Sequence, residues 1–168
     1  MSNSPTVALA IIAKDEKEEL YRICKEYQHY FDEICIAYDG DQEDLREHLV
    51  CGSLAIGVVG RKSFDEKLKI FKYEWCDDFA HKRNFLTDKI TTDYYVRMDT
   101  DDVLIGAENI SSMVEKMEET SADIVLCYYS YGHDESGNTE QAHYRETIMK
   151  VDPKLYWKKP VHETVVCD

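Results

Sequence analysis

The chain alternates apolar runs of strand length with amphipathic stretches of helix length. Residues 6–13 (TVALAIIA) form a continuous apolar run, the pattern of a strand buried on both faces of a parallel sheet. Asp15, with Glu18 three residues later, is a helix start signal. Apolar side chains then recur at i, i+3, i+4 and i+7, namely Leu20, Ile23, Cys24 and Tyr27. These patterns predict a buried strand followed by a helix that packs on the sheet.

The alternation continues along the chain. It predicts strands at residues 33–38, 54–59 and 93–98, a strand near 70–75, helices at 42–50 and 106–119, and a helical turn at 64–68. A further helix is predicted from Asp77 or Asp78 to about Lys89, with Phe79, Phe85 and Leu86 facing inward. Strands that alternate with helices are typical of a parallel α/β sheet, in which ligands bind beyond the carboxyl ends of the strands.

The pattern changes after residue 120. Residues 124–131 and 141–151 predict two antiparallel strands joined by a turn at 132–138, and residues 161–166 predict a final short strand. The fold class is therefore α/β, with a mostly parallel central sheet flanked by helices and an irregular, hairpin-containing C-terminal part. Because no linker-like segment divides the 168 residues, we expect a single domain over residues 1–168.

Composition narrows the class of protein. No apolar run approaches the ~18 residues of a membrane span, and the first residues lack the pattern of a signal peptide. We therefore expect a cytoplasmic protein with no stable membrane insertion. The six cysteines are irregularly spaced without a C-x-x-C pair, which predicts reduced, mostly buried thiols rather than a zinc site.

The formal net charge of −14 disfavours broad, non-specific binding to nucleic acid or anionic membranes. Basic residues gather within 61–72 and at Lys154, Lys158 and Lys159, which are either solvated faces or a binding patch. An acidic protein that handles a phosphate needs local positive charge, and a bound divalent cation supplies it.

Three carboxylates follow the predicted strand 93–98, at Asp99, Asp101 and Asp102. If the backbone stays extended there, the two-residue period of a strand puts Asp99 and Asp101 on the same side. Carboxylate oxygens are the ligands that Mg²⁺ and Mn²⁺ prefer. Alternatively, the three residues form a solvated turn or cap the next helix.

Five motifs in order give the chain a resemblance to the glycosyltransferases of family 2, which have the Rossmann-like GT-A fold. They are KDE at 14–16, FDEICIAYD at 31–39, WCDDFAHKRN at 75–84, DTDD at 99–102 and VHE at 161–163. The resemblance covers most of the chain. It implies a metal-dependent, inverting transfer of a sugar from a nucleoside diphosphate sugar, with a UDP-sugar favoured, to an acceptor hydroxyl.

The resemblance also assigns candidate residues. Mn²⁺ or Mg²⁺ would be held by Asp99 and Asp101, with His162 completing the metal shell or contacting the donor. The donor would be bound by Asp39, Arg83, Asp99, Lys14 and Glu16. Asp39 is alternatively a turn residue before Gly40, and Arg83 alternatively pairs with Asp77 or Asp78 on a helix surface. Asn84 is expected to be structural.

Glu163 and Asp102 are the candidate catalytic residues, since a carboxylate on the acceptor side serves as general base in an inverting transfer. Glu163 is alternatively a solvated strand residue. Residues 1–104 form the expected nucleotide-sugar half, and 105–168 a short acceptor half. The acceptor is left open among polysaccharide, lipid, protein and modified nucleic acid.

Two rival functions remain. One is a catalytically silent nucleotide-binding or interaction domain on the same fold. The other is a nucleotidyltransferase, although those enzymes usually begin with a glycine-rich loop that residues 13–17 (AKDEK) do not provide.

Overall fold

A computed structural model describes residues 4–51 and 63–168 of the chain. Its main sheet has six strands in the order β3-β2-β1-β4-β6-β5. The strands are β1 (Val7–Ala13), β2 (Glu33–Tyr38), β3 (Leu68–Lys72), β4 (Tyr94–Met98), β5 (Ile124–His133) and β6 (Thr139–Lys150). The first four are parallel, whereas β6 runs antiparallel to both β4 and β5. The prediction of a mostly parallel sheet with a C-terminal hairpin is confirmed.

Strand β1 lies at the centre of the parallel part and is buried along its whole length. Its neighbours β2 and β4 pair with it on either side, so that Ile11 lies beside both Ile36 and Met98. A strand covered on both faces needs no polar alternation, which explains the continuous apolar run in the sequence.

Helices cover both faces of this sheet. They are α1 (Lys17–Tyr27), α2 (Gln42–Cys51), α3 (Phe64–Lys67), α4 (Phe79–Thr87) and α5 (Ile110–Thr120). Apolar side chains of α1, α2 and α5 join one core cluster, and those of α4 join a second cluster that contains Tyr95 and Trp157. The four residues of α1 that were predicted to face the sheet are all buried. Helix α4 is therefore the element that covers the second face beside the site.

Several predicted boundaries need correction. Helix α1 begins at Lys17 with Glu16 as its N-cap residue, not Asp15, because Asp15 adopts a left-handed conformation with φ of 55°. The strand expected near 70–75 is β3, which ends at Lys72. Phe79 is 41% exposed rather than inward-facing. The predicted strand at 54–59 lies outside the described residues.

The C-terminal segment forms a second, two-stranded antiparallel sheet from β7 (Leu155–Lys158) and β8 (Thr164–Cys167). Strand β7 was not predicted, and β8 begins at Thr164 instead of residue 161. Residues 159–163 turn between the two strands, with His162 in a left-handed conformation at φ of 55°. The V-H-E motif consequently lies in a bend beside α4, where Phe79 N donates to Pro160 O at 3.0 Å.

The described cysteines are all free thiols, as expected. The expectation that they are mostly buried is wrong, because Cys51, Cys76 and Cys167 are exposed and Cys127 is half-buried. Burial raises the pKa of both Cys24 and Cys35 to about 12. Across the described ranges, no helix is long and apolar enough to cross a membrane.

Candidate active site

A cleft of about 940 Å³ opens at the carboxyl ends of β1 and β4. Its floor and walls come from the end of β1, the turn after β4, helix α4, the β5–β6 hairpin and the bend at residues 161–163. The candidate residues on its lining are Lys14, Glu16, Arg83, Asp99, Asp101, His162 and Glu163. The fold thus brings together residues that are up to about 150 positions apart in sequence, at the edge where parallel sheets bind ligands.

The acidic segment after β4 is a turn and does not continue the strand. Asp102 N donates to Asp99 O at 3.1 Å, and the Asp102 carboxylate accepts from Asp99 N at 2.9 Å. The alternation that would place Asp99 and Asp101 on one side therefore does not apply, although both still line the cleft. Asp102 is only 7% exposed and is not part of the lining.

Three arginines from three elements converge on Asp99. Arg83 of α4 donates to Oδ1 at 2.7 Å, and Arg97 of β4 and Arg145 of β6 reach Oδ2 at 3.1 and 3.3 Å. Burial alone would raise the pKa of Asp99, but the three guanidiniums outweigh it and hold the pKa at about 2. Arg145 also pairs with Asp102. We call Arg83, Arg97 and Arg145 the arginine cluster.

Glu163 is the second carboxylate of this cluster. Arg83 Nε donates to Glu163 Oε1 at 2.6 Å, and Arg97 Nη2 lies 3.7 Å from the same oxygen. Burial opposes ionisation of Glu163, yet Arg83 outweighs it and lowers the pKa. The alternative in which Arg83 pairs with Asp77 or Asp78 is wrong, since its partners are Asp99 and Glu163 and it is only 6% exposed.

Sequence reasoning missed Arg97 and Arg145. Arg97 is a charged residue inside the otherwise apolar buried strand YYVRM, a signal in itself because arginine is almost never fully buried without a partner. Burial and the neighbouring Arg83 lower the pKa of Arg97. The Nε atoms of Arg97 and Arg145 are buried with no hydrogen-bond partner among the described residues. The cluster therefore offers more N–H donors than its carboxylates use.

The motif after β1 also lines the cleft, through Lys14 and Glu16. Glu16 accepts from the backbone N of Lys14 at 3.0 Å and from the hydroxyl of Thr100 at 2.7 Å. It thereby connects the end of β1 to the turn after β4. Lys82, which sequence reasoning also missed, donates to Ala13 O at 2.7 Å, and burial lowers its pKa.

Asp39 lies at the carboxyl end of β2, as predicted, where its backbone N donates to Ala13 O at 3.1 Å. It is half-buried and does not line the 940 Å³ cleft. Its carboxylate acts electrostatically on Lys82, which does line the cleft. Asp39 therefore lies next to the cleft rather than on its wall.

The carboxylates partly fit a divalent cation. Both oxygens of Asp99 are bonded to guanidiniums, whereas Asp101 is exposed and has no hydrogen bond to the described part of the chain. No group of three His, Cys, Asp or Glu within residues 4–51 and 63–168 is close enough to hold an ion. Mg²⁺ takes one or two carboxylates and fills its shell with water and phosphate oxygens. Asp101, with an Asp99 oxygen released from an arginine, fits a site of this kind that substrate phosphates complete.

Comparison with solved structures identifies proteins of similar fold. TarS of S. aureus, residues 1–349, is 14% identical over 91% of this chain and 50% of that chain, with a TM-score of 0.55, and the same values hold for its complex with UDP. The mannosyltransferase PcManGT of Pyrobaculum calidifontis, in complex with GDP-Man and Mn²⁺, is 13% identical over 79% of this chain and 37% of that chain, with a TM-score of 0.52.

The fold is shared with nucleotidyl-transferring enzymes as well. The 4-diphosphocytidyl-2C-methyl-D-erythritol synthase of Anaerococcus prevotii is 8% identical over 89% of this chain and 74% of that chain, with a TM-score of 0.56. At these identities the likeness shows a GT-A-like fold, and the chain spans only half the length of the TarS structure.

Sequence comparison identifies the family of the chain. No curated protein matches the chain. The family model described as "Glycosyl transferase family 2" matches residues 9–167, which is nearly the whole chain. The chain therefore belongs to glycosyl transferase family 2.

Proposed function

We propose that this protein is a metal-dependent, inverting glycosyltransferase that moves a sugar from a nucleoside diphosphate sugar, a UDP-sugar first among them, to an acceptor hydroxyl. The observation that carries the proposal is the convergence of Arg83, Arg97 and Arg145 in one cleft of an otherwise strongly acidic chain. Three carboxylates pair with these arginines, but they leave N–H donors unused, among them the buried Nε atoms of Arg97 and Arg145, and this favours an anionic ligand.

A diphosphate suits the arginine cluster chemically. A guanidinium presents about five N–H donors in a planar fork and binds phosphate oxygens bidentately, so three of them offer about fifteen donors. Asp99, Asp102 and Glu163 use only part of this number. TarS and PcManGT, which share the fold, were solved in complex with UDP and with GDP-Man and Mn²⁺ respectively, and this supports a nucleotide ligand here.

The residues around the cluster take distinct roles in this proposal. Arg83, Lys14 and Glu16 form the donor side, Asp99 holds the arginines in place before the donor binds, and Asp39 contributes beside the cleft. Asp101 and Asp99 would hold Mn²⁺ or Mg²⁺, and His162 would contact the donor diphosphate or enter the metal shell only once substrate phosphates complete it. When bound, that cation neutralises charge that develops on the departing diphosphate.

Glu163 is the proposed general base. It lines the cleft, and although burial opposes its ionisation, Arg83 holds its pKa below the usual value. A donor diphosphate that draws Arg83 away would leave Glu163 without its nearest cation, and its basicity would rise. Asp102, the other candidate, is buried and holds the turn and Arg145, so its contribution is to position the cluster.

The two halves of the chain divide the substrates accordingly. Residues 1–104 contribute β1, α4, β4 and the acidic turn and would bind the nucleotide sugar. Residues 105–168 contribute the β5–β6 hairpin and the bend that carries Glu163, and they would bind the acceptor, although Arg145 and His162 of this half reach the donor side.

The proposal is tested by incubating the protein with UDP-glucose, UDP-N-acetylglucosamine, UDP-galactose and GDP-mannose, with Mn²⁺ or with EDTA, and quantifying the released nucleoside diphosphate. Metal-dependent release of UDP or GDP is expected. It should be lost in Asp101→Ala and retained in Asp88→Ala, a matched exposed carboxylate at the far end of α4.

Other outcomes support the rivals. Binding of all four nucleotide sugars without release, at any metal concentration, would indicate a catalytically silent domain. Release of pyrophosphate from CTP or UTP in the presence of a sugar phosphate would indicate a nucleotidyltransferase.

A further inference from the structure

The β5–β6 hairpin carries a row of aromatic side chains that donor binding does not explain. Tyr129 and Tyr131 on β5 stack with ring centroids 5.9 Å apart and an angle of 20° between planes. His143 on β6 meets both rings nearly edge-on, at 5.5 and 5.4 Å. We call Tyr129, Tyr131 and His143 the aromatic wall.

Arg145 joins the aromatic wall to the arginine cluster. Its guanidinium carbon lies 3.8 Å from the centre of the Tyr129 ring, while its nitrogens pair with Asp99 and Asp102. Tyr129 lies opposite His143 in the strand register, and both line the same cleft as Asp99. The wall therefore continues the cleft outward from the place where the diphosphate and the reacting carbon of the donor would lie.

The exposure of these rings is a second observation that indicates a ligand. Tyr131 is 53% exposed at the outer end of the wall. A contiguous apolar surface that opens from a polar cleft is a typical binding surface. Because the rings hold one another in place, a ligand that packs on them orders few additional torsions, which lowers the entropic cost of binding.

The charge of the hairpin identifies the class of ligand. Residues 124–144 contain no lysine or arginine, whereas Asp134, Glu135 and Glu140 lie near the hairpin tip. A nucleic acid or other polyanion would need cations along its backbone, and residues 124–144 offer none, since the nearest, Arg145, is paired with Asp99 and Asp102. A neutral pyranose has an apolar C–H face that packs on an aromatic ring and a rim of hydroxyls that the tyrosine hydroxyl and imidazole nitrogens can bond.

We propose that the aromatic wall is the acceptor subsite and that it takes a neutral sugar ring, so that the acceptor is a glycan. This inference rests on the proposed function, since it places the accepting hydroxyl between the wall and Glu163. Glu163 lines the cleft from the bend, and Tyr129 and His143 of the wall line it from the hairpin.

The test measures binding of cellotetraose, maltotetraose and chitotetraose by saturation-transfer NMR in the presence of UDP and the diamagnetic Mg²⁺, with the octanucleotide (dT)8 as an anionic comparison. At least one neutral tetrasaccharide should bind, and (dT)8 should not compete. Tyr131→Ala and His143→Ala should each weaken its affinity about 2- to 12-fold, the range expected for one aromatic contact. Tyr128→Ala is the matched control, because Tyr128 is 62% exposed, is not part of the cleft lining and alternates with Tyr129 along β5, so it faces the other side of the strand.

The wall is not an acceptor subsite if none of the three tetrasaccharides binds, or if Tyr128→Ala weakens binding as much as Tyr131→Ala. Tighter binding of (dT)8 than of the sugars, lost in Tyr131→Ala, would replace the glycan with a nucleic acid. The UDP-induced shift in Tm is recorded separately for every variant. Its absence in the unmutated protein contradicts the proposed function, whereas its presence without sugar binding contradicts only the acceptor subsite.

Discussion

Asp99 is shared by three guanidiniums, and this makes the site responsive to an added anion. Arg83, Arg97 and Arg145 each donate to it, and Arg83 divides its donors between Asp99 and Glu163. A buried charge is tolerated only where it is paired. A diphosphate would compete with Asp99 and Glu163 for the same N–H groups. Donor binding and release of these carboxylates are therefore coupled.

Asp101 is the residue that tests the metal. We expect Mn²⁺ and UDP together to raise Tm more than the sum of their separate effects, because the ion bridges carboxylate and diphosphate. Asp101→Ala should abolish this synergy while UDP alone still stabilises the protein through the arginine cluster. Thermal-shift titration of both ligands measures it, with Asp88→Ala as the control. An unchanged joint shift in Asp101→Ala would remove Asp101 from the metal site.

His162 and Glu163 are neighbours in the bend, but we expect their substitution to affect different steps, donor binding for His162 and turnover for Glu163. Loss of a metal or donor contact in His162→Ala should weaken donor affinity. Glu163→Gln keeps the shape of the side chain and should not weaken donor binding, because it removes a carboxylate that competes with the diphosphate for Arg83, while it slows turnover by roughly 10²- to 10⁴-fold. Calorimetry with UDP and rates of UDP release separate the two effects. Turnover of Glu163→Gln at the unmutated rate would show that Glu163 is not the base.

At the scale of elements, Asn84 connects α4 to β7. Its side-chain amide donates to Trp157 O at 2.9 Å and accepts from Trp157 N at 2.8 Å. The Trp157 ring in turn lies 5.3 and 5.0 Å from the guanidinium carbons of Arg83 and Arg97. The Asn84 amide thus fixes the Trp157 ring, against which Arg83 and Arg97 pack. This contact is the structural role expected for Asn84.

Asn84→Ala should lower the free energy of unfolding by about 1–3 kcal/mol, because it leaves two backbone groups of Trp157 without their partner. It should also weaken UDP binding, since Trp157 supports Arg83 and Arg97. Urea denaturation and UDP titration measure the two effects. Asn109→Ala is the control, because Asn109 bonds only its own turn on the surface. Normal UDP affinity in a destabilised Asn84→Ala would make the contact purely structural.

The sequence predicted those elements whose pattern reflects burial in the sheet. The apolar run predicted β1 and the helical spacing predicted α1 correctly, because the fold buries all of β1 and the spaced apolar residues of α1. Strand β7 was missed because it alternates half-buried and buried positions over four residues only, too short for a periodic signal. Helical spacing predicted that Phe79 faces the core. It lies instead on the wall of the cleft, and its exposure there depends on how distant elements pack, which local spacing does not reveal.

The candidate site was predictable where residues follow one another in a motif. Lys14, Glu16, Asp99 and Glu163 were all found this way, and the structure places them on one cleft. Arg145 was not, because nothing in its own strand distinguishes it. Its role depends on the antiparallel pairing of β6 with β4, which brings it to Asp99 across 46 residues of chain. Long-range pairing of this kind is set by topology and not by local pattern.

At the scale of the whole molecule, the two ends of the parallel sheet have different functions. The carboxyl ends of the strands form the cleft, whereas the amino ends are held together by hydrogen bonds and an ion pair that carboxylates accept. Asp32 accepts from Val7 N at 2.9 Å, and Asp93 accepts from Thr6 N at 2.8 Å. Glu33 pairs with Lys69 at 2.6 Å and also accepts from Thr91. Stability and donor binding should therefore be separable by mutation.

Glu33 provides the test of that separation through pH. Burial opposes its ionisation, but Lys69 and Thr91 outweigh burial, so the pKa of Glu33 in the folded protein is lower than its usual value of 4.5. A carboxyl with a depressed pKa contributes stability that is fully present above its unfolded pKa and is lost as pH falls through the folded value. In Glu33→Gln, the free energy of unfolding should be reduced by about 1–3 kcal/mol at pH 7 and should approach that of the unmutated protein as pH falls below about 4. Urea denaturation from pH 7 to pH 3 measures this change in the free energy of unfolding, with Glu43→Gln, at an exposed position on α2, as the control.

Because Glu33 lies at the end of the sheet opposite the cleft, its substitution should not affect donor binding. UDP and Mn²⁺ should therefore raise Tm in Glu33→Gln by the same amount as in the unmutated protein, and a smaller shift would show that the two ends of the sheet are coupled.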